Sequence, residues 1–138
     1  IIGALVSGSI DQDVYVFKMD NAGSYKSKPN ISKEVELNFS LSSGQSGSAV
    51  VKLADVTGDG LKELILSDDD DELRIYLGQA GKKSFAKRSL SYKTLLPSDG
   101  NLVSVNDLNG DGKDDLLMKF SSLDGQASKK KFKVLLAL

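Results

Sequence analysis

The sequence predicts an all-β protein built from a repeat of about 50–60 residues. Short runs rich in branched and aromatic residues alternate with turn residues, mainly glycine, serine and aspartate. The chain is similar to itself at a spacing of about 50–60 residues, which is typical of repeat architectures. No stretch carries the apolar stripe with a period of 3.6 residues that marks an amphipathic helix.

The repeat is visible at three places along the chain. Residues 5–17 align with residues 65–77 at an offset of 60, and the same offset places Tyr25 on Phe85. A third copy starts at Leu117, at an offset of 52 from the second copy. Propeller blades and related β arrays have periods of this length.

Each complete repeat is predicted to contain four short strands. The first strand leads into an Asp-rich loop, the second leaves that loop, and the third alternates apolar and polar residues as a half-buried strand does. The fourth is an outer strand. In the middle repeat these strands are Ala49–Leu53, Leu64–Leu66, Leu73–Leu77 and Ser84–Leu90, and the third repeat begins with Leu102–Val105 and Leu116–Met118.

We therefore expect residues 1–138 to form one β-propeller segment of four-stranded antiparallel blades. A partial first blade covers 1–48, a complete blade 49–100 and a partial last blade 101–138. The first blade would contribute strands two to four, and the last blade strands one to three. Since a propeller typically has 4–8 blades, two to three blades form an incomplete ring. The expected partners are the remainder of the propeller in a larger protein, which we favour, or other copies of the chain.

The composition excludes several kinds of chemistry. The chain has no Cys, His or Trp, which excludes disulfides, thiolate or imidazole zinc sites and a Ser–His or Cys–His catalytic pair within it. The net charge of −1 predicts no nucleic-acid partner. No apolar run approaches the roughly 18 residues of a membrane span. Carboxylates and hydroxyls remain, and such oxygens suit a hard cation such as calcium.

The loop at 107–115 has the pattern of a calcium loop. Side-chain oxygens recur at its positions 1, 3, 5 and 9, and a backbone carbonyl can serve at position 7. Glycine at position 6 permits a sharp turn. The predicted ligands are Asp107, Asn109, Asp111, the carbonyl of Lys113, and Asp115.

The loop at 55–63 repeats this pattern and predicts a second Ca²⁺ site. Its ligands would be Asp55, Thr57, Asp59, the carbonyl of Leu61, and Glu63. We expect it to be the weaker site, since threonine is a neutral ligand and glutamate is one methylene longer than aspartate.

The alternative is that both loops are Asp/Gly turns selected for backbone geometry without a metal. An EF-hand is excluded, because its position 12 requires a bidentate carboxylate and here it is Leu66 or Met118.

These strand–loop–strand units resemble the FG-GAP/VCBS repeats of integrin-type β-propellers. The resemblance rests on residues 55–66 and 107–118, which read D-x-[NT]-G-D-G-x-x-[DE] followed by an apolar strand. It implies a propeller fold, calcium loops between the first two strands of each blade, and an extracellular, cell-surface or periplasmic protein. The Phe-Gly and Gly-Ala-Pro elements that name the family are not evident, which favours the looser VCBS-like form.

The expected function is that of a non-catalytic, calcium-binding propeller segment that acts in adhesion or in binding a protein or glycan ligand. One alternative is an accessory propeller portion of a secreted enzyme or toxin whose active site lies outside this chain. Another is a scaffold that joins domains without a ligand of its own. We expect no enzymatic activity, because the acidic residues are largely accounted for as metal ligands or turn residues and no His can act as a base.

Overall fold

The computed structural model describes residues 8–39, 48–68, 71–97, 99–120 and 131–138, with side chains for all of these except 8–12 and 36–39. Nine strands and one short 3-10 turn make up the described regular structure, which confirms the all-β prediction. The strands are β1 Gly8–Val16, β2 Ile31–Phe39, β3 Val51–Ala54, β4 Glu63–Asp68, β5 Glu72–Tyr76, β6 Leu90–Lys93, β7 Val103–Asn106, β8 Asp115–Phe120 and β9 Lys131–Leu135. The 3-10 turn covers Gly100–Leu102.

Three separate antiparallel sheets follow one another along the chain. The first sheet pairs β1 with β2, the second has the order β3-β4-β5-β6, and the third has the order β7-β8-β9. Every sheet therefore joins strands that are consecutive in sequence. This up-and-down order is that of partial, propeller-like blades. The division into blades at 48/49 and at 100/101 stays a prediction.

Strand β4 is the most deeply buried strand of the second sheet. Residues 63–67 are all buried, with Ile65 fully covered and Leu64 and Leu66 each 2% exposed. Because successive side chains of a strand point to opposite faces, both faces of β4 must be covered. Neighbours on the two sides of the sheet provide this cover.

Two hydrophobic clusters join the three sheets. Leu64, Leu66 and Tyr76 pack with Val35 of the first sheet. On the opposite face, Ile65 and further apolar residues pack with residues of the third sheet. The buried members of this larger cluster are Val50, Ala54, Ile65, Leu73, Leu96, Val103, Leu116, Met118 and Phe120. The second sheet is thus packed between the first and the third.

The third sheet has one covered and one exposed face. Leu116 and Met118 face the second sheet, and Leu117 between them lies on the other face. Phe132 and Val134 of β9 share that outer face and are 64% and 47% exposed. Leu117 is the equivalent of Ile65, since the two repeats are offset by 52 residues. In the second repeat, the third sheet covers the face that carries Ile65.

The fourth strand differs from the sequence prediction. Strand β6 begins at Leu90, so the predicted strand over Ser84–Leu90 is wrong except at its last residue. Ser84 has a φ of 60°, which is the left-handed region and interrupts an extended chain. Phe85 forms only a single bridge with Gly78 and packs against the cluster between the first and second sheets. The outer strand therefore starts after this hairpin tip.

The first sheet repeats the third and fourth strands of the second sheet. Met19 bridges to Tyr25 as Gly78 bridges to Phe85, so the alignment of Tyr25 with Phe85 corresponds to a shared hairpin. The second strand predicted for this repeat falls within residues 1–7, which lie outside the described part of the chain.

A turn rich in acidic residues joins β4 to β5, where Asp68 is the register partner of Glu72. Asp68 forms an ion pair with Arg74. Asp69 and Asp70 lie outside the described residues. Among the described residues, no helix has the length and apolar character needed to cross a membrane.

Asp99 fastens the segment that leads into the third sheet. Its side chain accepts hydrogen bonds from the Asn101 backbone N–H at 2.9 Å and from the Ser48 hydroxyl at 2.8 Å. The Gly100 N–H also donates to the Ser48 carbonyl at 2.8 Å. The Asn101 N–H, followed by the Ser48 hydroxyl, lowers the pKa of Asp99 below its usual value of 3.8.

This arrangement predicts a pH dependence of stability. A carboxyl whose pKa is lower in the folded state stabilises the fold above its unfolded pKa, and this contribution disappears as the pH falls through the folded pKa. The stability lost in Asp99→Ala should therefore be larger at pH 7 than at pH 2.5. Urea unfolding of both proteins at the two pH values measures it. A difference that is the same at both pH values would contradict the prediction.

Candidate metal centre

The loops between β3 and β4 and between β7 and β8 share one backbone conformation. Glycines at positions 4 and 6 of each loop have positive φ values, between 75° and 85°. These glycines are Gly58, Gly60, Gly110 and Gly112. Such angles suit glycine because it has no Cβ. The sequence identified position 6 as a required glycine, and position 4 proves to be one as well.

The first residue of each loop organises the turn with its carboxylate. Asp55 Oδ1 accepts the Gly58 N–H at 2.7 Å, and its Oδ2 accepts the Gly60 N–H at 2.8 Å. Asp107 makes the same two bonds, to Gly110 at 2.7 Å and Gly112 at 3.0 Å. The side chain at position 1 therefore curls the backbone around itself in both loops.

The residue at position 5 fixes the next turn of the backbone. Asp59 Oδ1 accepts the Leu61 N–H at 2.8 Å, and Asp111 Oδ1 accepts the Lys113 N–H at 2.9 Å. At position 3, the amide of Asn109 donates to Asp111 Oδ2 at 3.1 Å. Thr57 Oγ1 lies 3.4 Å from Asp55 Oδ1 and makes a weaker contact.

The acid at position 9 is the buried member of each site. Glu63 and Asp115 are both 1% exposed, and each accepts backbone N–H groups. Glu63 Oε2 accepts the Val56 N–H at 2.8 Å, and Asp115 Oδ2 accepts the Leu108 N–H at 2.8 Å. These bonds tie the end of each loop back to its start. A buried carboxylate is costly unless such donors or a cation compensate it.

The second oxygen of the position 9 acid reaches a neighbouring strand end. Glu63 Oε1 lies 3.4 Å from the Gly78 amide, which follows β5. Asp115 Oδ1 accepts the Ala137 N–H at 2.9 Å, which follows β9. Each loop is therefore anchored to the third strand of its own sheet.

Three acids of the first loop converge on one point. One carboxylate oxygen each from Asp55, Asp59 and Glu63 lies within 4.8 Å of the other two. Calcium holds oxygens at about 2.3–2.6 Å, so two of its ligands can lie up to about 5 Å apart. Each carboxylate oxygen has two lone pairs and can accept an N–H while it also binds an ion. The donor set and its spacing therefore fit calcium.

The second loop is less convergent than the first. Among the described residues, only the first loop brings three carboxylates within 4.8 Å, and Asp107, Asp111 and Asp115 do not. The longer side chain of Glu63 is one physical reason, since it extends one methylene further than Asp115. The sequence ranked the second loop as the stronger site, and that ranking stays a prediction.

The two loops contact each other through Asp114. The Asp55 N–H donates to Asp114 Oδ2 at 2.8 Å, and the Asp114 N–H donates to the Asp55 carbonyl at 2.8 Å. Lys62 Nζ lies 3.1 Å from the same Oδ2. The Asp55 N–H is the main cause of the lowered pKa of Asp114, with Lys62 contributing further.

Sequence reasoning missed Asp114 because it treated the loops as separate sites. Asp114 occupies position 8, where no ligand is expected. The available signal was the change from Lys62 to an acid at the same position of the two loops, which permits an ion pair if adjacent loops touch.

Blade-like antiparallel sheets with glycine-rich acidic loops between their first two strands define a β-propeller type of repeat. The comparison with protein families agrees with this class. Residues 55–118, from the first loop to the strand after the second, match the family model described as FG-GAP-like repeat. The segment is therefore similar to an FG-GAP-like repeat, and the resemblance seen in the sequence is confirmed over these residues. Neither the curated proteins nor the solved structures yield a match.

Proposed function

We propose that this chain is a calcium-binding, non-catalytic segment of an FG-GAP-type β-propeller and that it acts outside the cytosol in adhesion or ligand binding. The observation that carries the calcium proposal is the convergence of Asp55, Asp59 and Glu63 within 4.8 Å in the loop that joins β3 to β4. All three are oxygen donors, as calcium prefers.

The proposed calcium would hold each inter-strand loop in its curled conformation. Asp55, Asp59 and Glu63 would hold the first ion, with the Thr57 hydroxyl and the Leu61 carbonyl completing the set. Asp107, Asn109, Asp111, the Lys113 carbonyl and Asp115 would hold the second. An ion at the first site would also compensate the buried charge of Glu63. Extracellular modules bind calcium at roughly 0.1–1 mM, which matches a location outside the cytosol.

Calcium is expected to stabilise the chain. At 10 mM calcium, a dissociation constant of roughly 0.1–1 mM corresponds to about 1.4–2.7 kcal/mol per occupied site. Thermal unfolding in 10 mM calcium against excess chelator measures the effect. Asp59→Ala should reduce the calcium-induced rise in the unfolding midpoint, because Asp59 is a proposed calcium ligand. Asp59 is exposed, so the substitution leaves the hydrophobic core intact. Asp71→Ala should not reduce that rise, because Asp71 lies outside both loops and, among the described residues, its carboxylate makes a long ion pair with Lys93 at 3.8 Å. An unchanged midpoint in the unmodified protein would contradict calcium binding.

The exposed face of the third sheet supports the proposal that another propeller blade packs against this sheet. Leu117 and Val134 lie on the face that is equivalent to the one carrying Ile65, and in the second repeat that face is buried by the next sheet. The same kind of contact is therefore available to another blade, which the remainder of a larger propeller or a second copy of the chain can supply.

Isolated chains are expected to associate through this face. Light scattering at increasing concentration should show a mass above that of one chain. Replacing Phe132 and Val134 by serine should return the mass toward one chain, because both are large exposed apolar residues on the outer face. Leu90→Ser is the matched control, since Leu90 is 57% exposed on the outer strand β6. A single-chain mass at all concentrations would argue against this surface as an interface.

The non-catalytic part of the proposal has its own test. The loop carboxylates already accept backbone N–H groups, which favours a structural role. Assays of the chain on polysaccharides, lipids and phosphodiesters should show no turnover. Calcium-dependent turnover that disappears in Asp111→Ala would instead favour an enzymatic role. Binding to a glycan array or to an extracellular protein would identify the ligand class.

A further inference from the structure

The two candidate calcium loops are in direct contact, and the residue that joins them is not itself a predicted ligand. Asp114 stands at position 8 of the second loop, between Lys113 and Asp115, which are predicted to supply ligands at positions 7 and 9. Its partner Asp55 is position 1 of the first loop. The contact therefore connects the ligand-bearing backbone of one loop to the leading ligand of the other.

Asp114 is hydrogen-bonded to both backbone groups of Asp55, the N–H and the carbonyl. Asp114 Oδ2 accepts the Asp55 N–H, and the Asp114 N–H donates to the Asp55 carbonyl, both at 2.8 Å. These two bonds tie the position of the Asp55 backbone to that of Asp114. The Asp55 carboxylate, which accepts the N–H groups of Gly58 and Gly60, is therefore placed by a residue of the next repeat.

Two further contacts cross between the same loops. Lys62, which is position 8 of the first loop, pairs with Asp114 Oδ2 at 3.1 Å. The Lys113 side chain lies so close to Gly58 that a Cβ added there would be 3.0 Å from Lys113 Cγ. Lys62 is 58% exposed, so its ion pair contributes little, and the two backbone-anchored hydrogen bonds are the stronger link.

We propose that Asp114 is a positioning residue that couples the two candidate calcium sites, so that calcium in one loop raises the affinity of the other. This inference rests on the proposed calcium function. An ion in the first loop would fix Asp55 and, through it, Asp114 and the adjoining ligands of the second loop. The second ion would then pay a smaller ordering cost, which is positive cooperativity. Linkage requires the effect to be equal in both directions.

The coupling can be measured site by site with NMR. The backbone N–H groups of Gly60 and Gly112 lie in separate loops and donate to different carboxylates, those of Asp55 and Asp107, so each reports calcium binding in its own loop. Asp59→Ala removes a ligand from the first loop only. It should weaken calcium binding reported at Gly112 by about fivefold, the low end of common allosteric couplings. Asp111→Ala should weaken binding reported at Gly60 by the same factor.

Variants at position 114 separate coupling from simple binding. In Asp114→Ala, which cannot accept the Asp55 N–H, the effect of Asp59→Ala on Gly112 should disappear. Asp114→Asn keeps an acceptor oxygen and removes the charge that pairs with Lys62, so it should retain the coupling. Hydrogen exchange of the Asp55 amide without calcium should accelerate in Asp114→Ala and stay slow in Asp114→Asn. Asp71→Ala is the control for loss of one acidic charge away from the loops.

The outcomes that overturn the proposal are distinct from failure of calcium binding. If neither glycine responds to calcium in the unmodified protein, the proposed function and this inference both fail. If both respond but Asp59→Ala leaves Gly112 unchanged, or strengthens its binding, the sites bind calcium without positive coupling. If the coupling persists in Asp114→Ala, another contact carries it and Asp114 is not the positioning residue.

Discussion

Replacement of Glu63 by alanine is expected to destabilise the chain by roughly 2–4 kcal/mol, even without calcium. Glu63 is 1% exposed, and its two oxygens contact the backbone N–H groups of Val56 and Gly78. Alanine leaves both part-buried donors without this acceptor, and a donor costs about 1–3 kcal/mol where water cannot replace its partner. Urea unfolding in the presence of chelator measures this loss.

The same variant should also lose most of its response to calcium, because Glu63 is one of the three converging acids. Glu63→Gln retains a carbonyl oxygen for one donor and should fall between the wild type and alanine in stability, with a similarly reduced calcium response. Glu34→Ala, at an exposed position of β2, is the matched control. If Glu63→Ala unfolds at the same urea concentration as Glu34→Ala, the buried acid is not a structural anchor.

Substitution of Gly100 by alanine is expected to be the other severe change, with a loss of about 3 kcal/mol, the upper end of the usual cost of overpacking. A Cβ at this position would overlap the backbone carbonyl of Ala49 and lie 2.6 Å from the Val50 nitrogen. Backbone atoms cannot move aside as the end of a flexible side chain can. The clash would push the 3-10 turn away from the segment before β3 and break the bond from the Gly100 N–H to Ser48.

Gly81→Ala is the matched control, because it makes the same glycine-to-alanine substitution at another position. Gly81 has a φ of +90° and no atom within 4 Å of an added Cβ, so Gly81→Ala brings conformational strain without a clash. That strain should cost about 1–2 kcal/mol. Thermal and urea unfolding of the two variants make the comparison. Equal losses at Gly81 and Gly100 would show that close packing at Gly100 does not determine stability.

Sequence patterns predicted the strands around the loops well because apolar alternation and turn residues are local signals. Leu64–Leu66 and Leu73–Leu77 lie on or within one residue of β4 and β5. The fourth strand was misplaced because residues 84–90 carry strand-like residues, whereas Ser84 takes a left-handed φ at a hairpin tip. No local pattern signals that conformation in a serine.

The candidate ligands of the loops could also be predicted from their spacing, because side chains at alternate positions of a curled loop face inward. Contacts between repeats could not be predicted in this way. The bond between Asp55 and Asp114 joins residues 59 positions apart in sequence and depends on how two sheets are packed. The sequence analysis treated the extra methylene of Glu63 as a weakness, whereas among the described residues the first loop, which carries Glu63, is the one whose three acids converge.

The burial of β4 on both faces has a consequence for how this molecule folds. Leu64 and Leu66 are covered through contacts with the first sheet, and Ile65 through contacts with the third. A single repeat excised from its neighbours would expose apolar residues on both sides of its central strand. The smallest autonomous folding unit is therefore expected to be longer than one repeat, with stability set by nearest-neighbour interfaces as in a one-dimensional array.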